Sequence, residues 1–245
     1  MANASKKLKS EKLFVDLLNN PSTGLLNSFL KNRSAAEKLA SLGVKSFQLS
    51  DFVAQKGKRS YECSDAWAER SGKKTKSGNK KEQCKTDVIL EHSPTGTKLK
   101  ISLKTGDGRL TSCNLFETKA LLKLVCESNP DFASNEKLKF IIDDLLETWD
   151  NGLIRSDSKK GNIYTDYDLT LGSRRRSWTE EEIQGIPDAK LREYKRLCQN
   201  VLSPKIREIS HTYSDYFLKV FRETATGRLK FGEKSPLAIA DLFVE

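Results

Sequence analysis

The stretch KTDVILEHSPTGTKLKISLKTGDGRL, residues 85–110, contains two apolar runs on either side of a turn-forming segment, residues 93–97. Asp87 opens the first run and Lys104 closes the second. Short apolar runs separated by proline, glycine and threonine are typical of a β-hairpin. The pattern predicts antiparallel strands over about 86–92 and 98–104.

The predicted hairpin brings an acid and a lysine together. A turn centred near Thr95-Gly96 would pair Asp87 with Lys104 and Ile89 with Ser102. Since side chains alternate between the faces of a strand, Asp87, Ser102 and Lys104 would share one face at the open end of the hairpin. The other face carries four apolar residues that are expected to enter a core: Val88, Leu90, Ile101 and Leu103.

An acid and a lysine in this arrangement suit phosphoryl chemistry. A carboxylate binds a hard cation such as magnesium, which activates water and neutralises charge on a phosphate. A lysine can stabilise the charge of the transition state. A second carboxylate is needed, and Glu117 on the next helix is the candidate. Two alternatives stay open: Asn114 and Glu117 form a capping box, and Asp87 with Lys104 forms a surface ion pair.

The bulk composition favours a polyanionic partner. The chain has 245 residues, 43 lysines and arginines against 33 acids, and a net charge of +10. Such a field attracts nucleic acid first and acidic membrane second, although basicity also serves solubility alone. No run approaches eighteen apolar residues, so no membrane span is expected.

Cysteine and histidine usage excludes several kinds of site. The five cysteines are scattered, without a CxxC pair, and there are two histidines. This argues against a disulfide framework, a structural zinc site and a Ser-His-Asp triad. Reduced thiols and the absence of an apolar leader-like segment favour a cytoplasmic protein.

The patterning of the whole chain predicts the α/β (α+β) class, in one domain spanning residues 1–245. Within it we expect a helical part over 1–55, the hairpin and its following helix over 56–130, and a helical part with a short hairpin over 131–245. The expected helices cover two short runs within 10–31, a run closed by Gly43, a turn at 49–55, and residues 115–127, 136–149, 188–201 and 204–224. A second hairpin is expected over 153–172, and a strand or loop from Gly227 to Phe231.

Two basic segments are candidates for contacts with nucleic-acid phosphates. The first is a loop just before Asp87, and the second precedes Trp178, which could stack on an unpaired base or instead anchor the next helix. Both segments could also be solvated loops. The candidate nucleic-acid-binding residues are Lys73, Lys74, Lys76, Lys80, Lys81, Arg174, Arg175 and Arg176.

The residues Thr86-Asp87 and Ser102-Leu103-Lys104 together resemble the PD-(D/E)xK motif of restriction-endonuclease-like nucleases. The stretch is also similar to uncharacterised tailed-phage proteins that carry KTD and ISLKxG motifs, in which an E-x-x-TG-x-x-KF segment recurs. Residues 223–231 of this chain resemble that segment. The resemblance implies a mixed sheet of about four or five strands flanked by helices. It also implies magnesium-dependent hydrolysis of DNA that leaves 5′-phosphate ends, with manganese able to substitute.

Carried over by position, the resemblance makes Asp87 a metal ligand and Lys104 the catalytic lysine. Ser102 stands where the family has its second acid, and some restriction enzymes with SxK take that carboxylate from the next helix, here Glu117. The family often adds a glutamate from an earlier helix. Glu37 and Glu69 are candidates, with Glu82 and Glu223 as further alternatives.

Ser102 keeps a second function open. The chain is then a DNA-binding or structural protein on a nuclease fold that no longer cuts. A homodimer, which would let two sites cut two strands, is also left open.

Overall fold

In a computed structural model of the protein, the described residues are 2–104, 115–152 and 177–244. The chain divides into two compact units, one formed by residues 1–124 with 221–245 and the other by residues 125–220. The expectation of a single domain stays a prediction, because compact units can fold together or separately. The expected fold class is confirmed: a central mixed sheet is flanked by helices.

The central sheet of the first unit has four strands: β1 (Phe52–Lys56), β6 (Val88–His92), β7 (Thr97–Leu103) and β8 (Leu242–Val244). They lie in the order β1-β6-β7-β8, and only the last pair is parallel. The apolar residues predicted to face the core do so. Val88, Leu90, Ile101 and Leu103 pack in one buried cluster with Leu99.

The hairpin forms as predicted, but its register is displaced by two residues. Ile89 pairs with Lys100 rather than with Ser102, and the last pair before the turn is His92 with Thr97. The physical reason is the loop, which has four residues and is closed by a hydrogen bond from the Thr95 N–H to the His92 carbonyl. A shift of two residues leaves every side chain on the same face of its strand. The prediction of which side chains face the core is therefore still correct.

The N-terminal helices are α1 (Ala2–Leu18), α2 (Leu25–Lys31) and α3 (Arg33–Ser41). α2 and α3 lie where helices were expected, whereas α1 begins well before residue 10, where the first short helix was expected. Gly43 follows α3 with a φ of 91°, as its role at a helix end requires. The prediction of a helical turn over 49–55 is wrong for the second half of that range. A short 3-10 turn, Leu49–Asp51, leads directly into β1, because Phe52 and Ala54 alternate into the core and make this run a strand.

Asn19 covers the outer edge of β1. Its side-chain Nδ2 donates to the Ala54 carbonyl at 2.8 Å, and the Ala54 N–H donates to Asn19 Oδ1 at 2.8 Å. A side-chain amide thus takes the place of a neighbouring strand at this position. Occupied edge groups are unavailable for pairing with another chain.

The lysine-rich segment before Asp87 is more ordered than the expected loop. It contains a short helix around Trp67 and two antiparallel ribbons. Strands this short and this polar carry no periodicity that a sequence could reveal. The elements are β2 (Ser60–Glu62), α4 (Asp65–Arg70), β3 (Lys74–Thr75), β4 (Gly78–Asn79) and β5 (Lys81–Gln83).

The second unit is helical in its described residues. Trp149 and Tyr194 are both buried there, and the indole Nε1 donates to the tyrosine hydroxyl at 3.1 Å. The elements are α5 (Leu115–Ser128, which begins in the first unit), α6 (Pro130–Ala133), α7 (Glu136–Gly152), α8 (Glu180–Gln184), α9 (Ala189–Leu197), a π-helical segment (Cys198–Leu202), α10 (Ser203–Thr212) and α11 (Ser214–Thr226, which ends in the first unit).

The C-terminal segment returns the chain to the central sheet. Gly227, with a φ of 76°, follows the end of α11. The strand or loop expected up to Phe231 is instead a helical turn, α12 (Arg228–Phe231), followed by 3-10 turns at Gly232–Lys234 and Pro236–Ala238. Phe231 is fully buried in a second small core with Cys84 and Ala238, and this packing favours the compact turn.

The hairpin predicted over 153–172 lies outside the described residues. Among the helices that the structure does describe, none combines the length and apolarity that crossing a bilayer requires.

Candidate functional site

Asp87 is a buried carboxylate held by the neighbouring strand. Its Oδ2 accepts hydrogen bonds from the Leu103 N–H at 2.8 Å and from Ser102 Oγ at 3.2 Å. Its own N–H donates to the Ile101 carbonyl. The structure therefore brings Asp87 and Ser102 together on one face, as predicted, with the carboxylate oriented by β7.

Lys104 follows β7 and is positioned by β8. Its N–H donates to the Val244 carbonyl at 2.8 Å, and its Nζ lies 5.9 Å from the centre of the Phe243 ring. Because β8 comes from the far end of the chain, the sequence pattern around the hairpin could not indicate this contact. The parallel strand fixes the backbone of Lys104 at the same end of the sheet as Asp87.

Glu117 is buried in the first turn of α5. Its Oε1 lies 3.5 Å from Lys230 Nζ and 3.8 Å from Lys73 Nζ. Asn114, the other half of the capping-box alternative, lies outside the described residues.

Glu82 joins Glu117 through the same two lysines. Lys230 Nζ lies 2.7 Å from Glu82 Oε2, and Lys73 Nζ lies 3.1 Å from Glu82 Oε1. We call Lys73, Glu82, Glu117 and Lys230 the charged cluster. Four different parts of the chain contribute one residue each, and each side chain is at most 23% exposed.

The charged cluster changes the ranking of the upstream glutamates. Glu37 and Glu69 are both exposed, and Glu37 is paired with Arg33 on its own helix. Glu82, which sequence reasoning placed behind them, is the glutamate that approaches Glu117. Lys230 was missed altogether, although it is the lysine of the KF pair in the segment 223–231 that resembles the phage proteins.

The ion pairs of the cluster outweigh the effect of burial on protonation. Burial alone would raise the pKa of Glu82. Hydrogen bonds and charges from Lys230 and Lys73 lower this pKa by more than burial raises it, so it lies below its ordinary value. Burial lowers the pKa of Lys73, and Glu82 and Glu117 reverse this, so its pKa is raised. Both groups are therefore charged at neutral pH.

A cleft adjoins the charged cluster. Lys230 lies on its wall, and its Nζ is 5.7 Å from the centre of the Trp67 ring. The buried Glu223 also lines the cleft and accepts a hydrogen bond from the Leu229 N–H at 3.1 Å. The lining residues are Trp67, Lys85, Leu121, Glu223, Thr224, Gly227 and Lys230.

The candidate phosphate-contacting lysines fall into two groups. Lys74, Lys76, Lys80 and Lys81 are exposed on or beside strands β3, β4 and β5, and we call these four the basic ribbon. Lys73 is half-buried in the charged cluster instead. The second basic segment, Arg174, Arg175 and Arg176, lies outside the described residues.

Trp178 packs at the start of α8 in the second unit. Lys195 Nζ lies 4.6 Å from the centre of its ring, and the Gln199 side-chain amide bonds both its N–H and its carbonyl. The helix that follows begins with a capping box formed by Thr179 and Glu182. These contacts favour the anchoring role over base stacking.

The first unit contains carboxylates of the type that binds magnesium. Asp87 and Glu117 are buried carboxylates, and magnesium is commonly held by one or two carboxylates with waters and substrate phosphates. Within residues 2–104, 115–152 and 177–244, no three His, Cys, Asp or Glu side chains converge as a metal-binding group. Asp87 and Glu117 are carboxylates of the kind that such a cation binds, and the described residues form no closed all-protein cage.

The chain was compared with protein-family models, curated proteins and solved structures. No protein-family model, curated protein or solved structure matches the chain.

Proposed function

We propose that this protein is a magnesium-dependent DNA endonuclease with a PD-(D/E)xK-type site. One observation carries the proposal: Asp87 and Ser102 meet on one face of the central sheet, at the strand end where Lys104 follows. Metal-assisted phosphodiester hydrolysis needs a carboxylate that can bind a cation and a positive group that can stabilise charge on the phosphate, and Asp87 and Lys104 are residues of these two kinds.

The residues have separate roles in this proposal. Asp87 and Glu117 would hold the cation, which supplies an activated water and charge neutralisation when it is bound. The Lys104 ammonium would orient the attacking water and stabilise the charge that builds on the phosphate oxygens. The Leu103 N–H and Ser102 Oγ fix the orientation of the Asp87 carboxylate, which spares it a reorganisation cost.

Ser102 is a positioning residue in this scheme. Its hydroxyl donates to Asp87 in the place where the resembled family carries a second acid. The site then depends on Glu117 for its second carboxylate, which must give up contacts to Lys73 and Lys230 in order to bind a cation.

The DNA-binding part of the proposal rests on charge. The net charge of +10 and the exposed lysines of the basic ribbon suit the phosphate backbone. The ribbon directly precedes β6 in the chain, so it stands close in sequence to Asp87.

A plasmid-cleavage assay tests this function. Supercoiled plasmid is incubated with the wild type, Lys104→Ala or the exposed-lysine control Lys45→Ala, in magnesium, in manganese and in EDTA. We expect metal-dependent cutting by the wild type and the control, and a loss of about 100-fold or more in Lys104→Ala. Equal cutting by both variants would contradict the role of Lys104.

The engagement of Glu117 favours a second candidate, a DNA-binding protein on this fold that does not cut. Two lysines already neutralise Glu117, and Ser102 replaces an acid. This candidate predicts DNA binding in EDTA without cutting of single- or double-stranded DNA in either metal.

A further inference from the structure

We propose that Gly57 is a positioning residue for Asp87, the metal-binding acid of the proposed site. The inference deepens the proposed function and rests on it. Its basis is the contact between the backbone at position 57, where the chain leaves β1, and the peptide group that joins Thr86 to Asp87. This contact leaves no room for a side chain, so the identity of residue 57 controls where the backbone of Asp87 lies.

Gly57 lies closer to this peptide group than any other residue could. Its N–H donates to the Asp87 carbonyl at 2.9 Å. A Cβ at position 57 would lie 2.5 Å from the Thr86 carbonyl oxygen, 3.2 Å from the Thr86 carbonyl carbon and 3.3 Å from the Asp87 carbonyl oxygen. All three atoms belong to the backbone, so no rotation of a side chain relieves the contact. Even alanine at this position would force the two backbone segments apart.

The need for glycine at position 57 is steric. Several glycines of the chain have a positive φ, among them Gly24 with a φ of 64°, and this conformation disfavours other residues. Gly57 is not among them. The close approach to the Thr86 carbonyl is therefore the feature that excludes a side chain.

The peptide group between Thr86 and Asp87 is also held on its other sides. The Asp87 N–H donates to the Ile101 carbonyl at 2.8 Å, and Cys84 Sγ donates to the Thr86 carbonyl at 3.1 Å. Gly57 directly follows β1, which is paired with β6 up to its last residue. A Cβ at position 57 must therefore pull the end of β1 away from β6 or push the backbone of Asp87 out of place.

The Asp87 carboxylate depends on the position of this backbone. Its Oδ2 accepts from the Leu103 N–H at 2.8 Å and from Ser102 Oγ at 3.2 Å. Opening the 2.5 Å contact of a Cβ at position 57 to 3.0 Å, below which real Cβ atoms essentially never lie, requires a shift of about 0.5 Å. Functional side chains must be held to within about 0.5 Å of their productive positions. Loss of such support commonly weakens metal binding about 10- to 100-fold.

Binding of Mn²⁺, followed by electron paramagnetic resonance of the free ion, tests the inference without relying on cleavage. The variants are Gly57→Ala, Asp87→Asn and Gly24→Ala, and Asp87→Asn identifies the binding that belongs to the proposed site. Gly24 is the matched control, because alanine there is strained by the positive φ while its Cβ would meet nothing within 4 Å. We expect Gly57→Ala to bind Mn²⁺ about tenfold or more weakly at the Asp87-dependent site. Gly24→Ala should bind as the wild type does.

Single-turnover plasmid cleavage over a range of magnesium concentrations gives a second readout. Gly57→Ala should need about tenfold more magnesium for half-maximal cutting. Its affinity for DNA in EDTA should equal that of the wild type, because the change acts on the carboxylate and leaves the basic ribbon intact. A purely structural role of Gly57 would lower the thermal stability and leave the magnesium dependence unchanged.

The outcomes separate the two proposals. Wild-type Mn²⁺ affinity in Gly57→Ala, or an equal loss of affinity in Gly57→Ala and Gly24→Ala, would overturn the role of Gly57 and leave the nuclease proposal standing. A wild type without Asp87-dependent Mn²⁺ binding would overturn both.

Amide exchange of the wild type carries the test if Gly57→Ala does not fold. The Gly57 N–H donates to the Asp87 carbonyl, whereas the Gly24 N–H donates to the Pro21 carbonyl at 3.4 Å. Because a bound cation stabilises the structure around its ligands, magnesium should slow exchange of the Gly57 N–H about threefold or more and leave the Gly24 N–H unchanged. A Gly57 N–H that responds to magnesium no more than the Gly24 N–H would overturn the inference.

Discussion

Ser102 Oγ lies 3.2 Å from Asp87 Oδ2, so the serine at the position where the resembled family carries an acid donates a hydrogen bond to the Asp87 carboxylate. Both side chains are buried. A carboxylate at position 102 would lie close to Asp87 and repel it, and a cation bound between the two carboxylates would relieve that repulsion. This relationship makes position 102 a direct probe for a metal.

We predict that Ser102→Asp destabilises the protein in EDTA by about 1–3 kcal/mol and that magnesium recovers part of the loss. Two adjacent buried carboxylates repel each other, and a cation bound only by the folded state stabilises it. Thermal unfolding with and without magnesium measures both effects. Ser102→Asn is the uncharged control, and an equal response of the two variants to magnesium would speak against a cation beside Asp87.

Glu82 is predicted to stabilise the first unit through its contacts with Lys73 and Lys230. Glu82→Gln should lower the free energy of unfolding by about 1–3 kcal/mol at neutral pH. Because the pKa of Glu82 is lowered in the folded state, its contribution is present above the ordinary value of 4.5 and is lost as the pH falls through the folded pKa below it.

Denaturant unfolding at a series of pH values measures this contribution. The difference between the wild type and Glu82→Gln should shrink below about pH 4.5. Glu37→Gln, which removes an exposed ion pair, should cost less than about 1 kcal/mol. A Glu82 effect no larger than the Glu37 effect would contradict the account of the cluster.

The basic ribbon is predicted to contact several backbone phosphates. Changing Lys74, Lys76, Lys80 and Lys81 together to Gln should flatten the salt dependence of DNA binding by up to about 4 in log–log slope. Anisotropy in EDTA measures the slope. The matched control changes four exposed lysines elsewhere to Gln, namely Lys31, Lys45, Lys137 and Lys190. The same slope in both variants would remove the ribbon from the DNA interface.

Asn19 is predicted to stabilise and protect the edge of the central sheet. Asn19→Ala leaves the Ala54 N–H and carbonyl without their side-chain partner, which should cost about 1–2 kcal/mol. An exposed edge also favours association between chains. Thermal unfolding and light scattering check the two effects against the wild type. An Asn19→Ala variant that is as stable and as monodisperse as the wild type would refute this role.

The sequence allowed the hairpin, its core-facing residues and most helices to be predicted, because alternation and helical periodicity report burial locally. It did not allow the register to be predicted. The turn was expected to be centred on Thr95-Gly96, whereas the observed loop consists of residues 93–96 and is centred one residue earlier. β8 was missed because three residues near the chain end pair only with a distant strand.

The candidate site shows the same division. Asp87 and Ser102 share a face because side chains alternate between the two faces along each strand, and this alternation can be read from the sequence. The contacts of Glu117 with Lys73 and Lys230 join residues far apart in the chain, and no local pattern reports such distances. The KF pair in the segment 223–231 was the one signal that could have indicated Lys230.

The central claim is that Asp87 is the metal-binding acid of a DNA-cutting site. Single-turnover cleavage of a plasmid in magnesium by the wild type and Asp87→Asn tests it most directly, since the amide keeps the size of the side chain and its acceptor oxygen for the Leu103 N–H. We predict that the wild type cuts and that Asp87→Asn is slower by about 100-fold or more while still binding DNA in EDTA. Equal cutting by both, or no cutting by the wild type in magnesium or manganese, would contradict the claim.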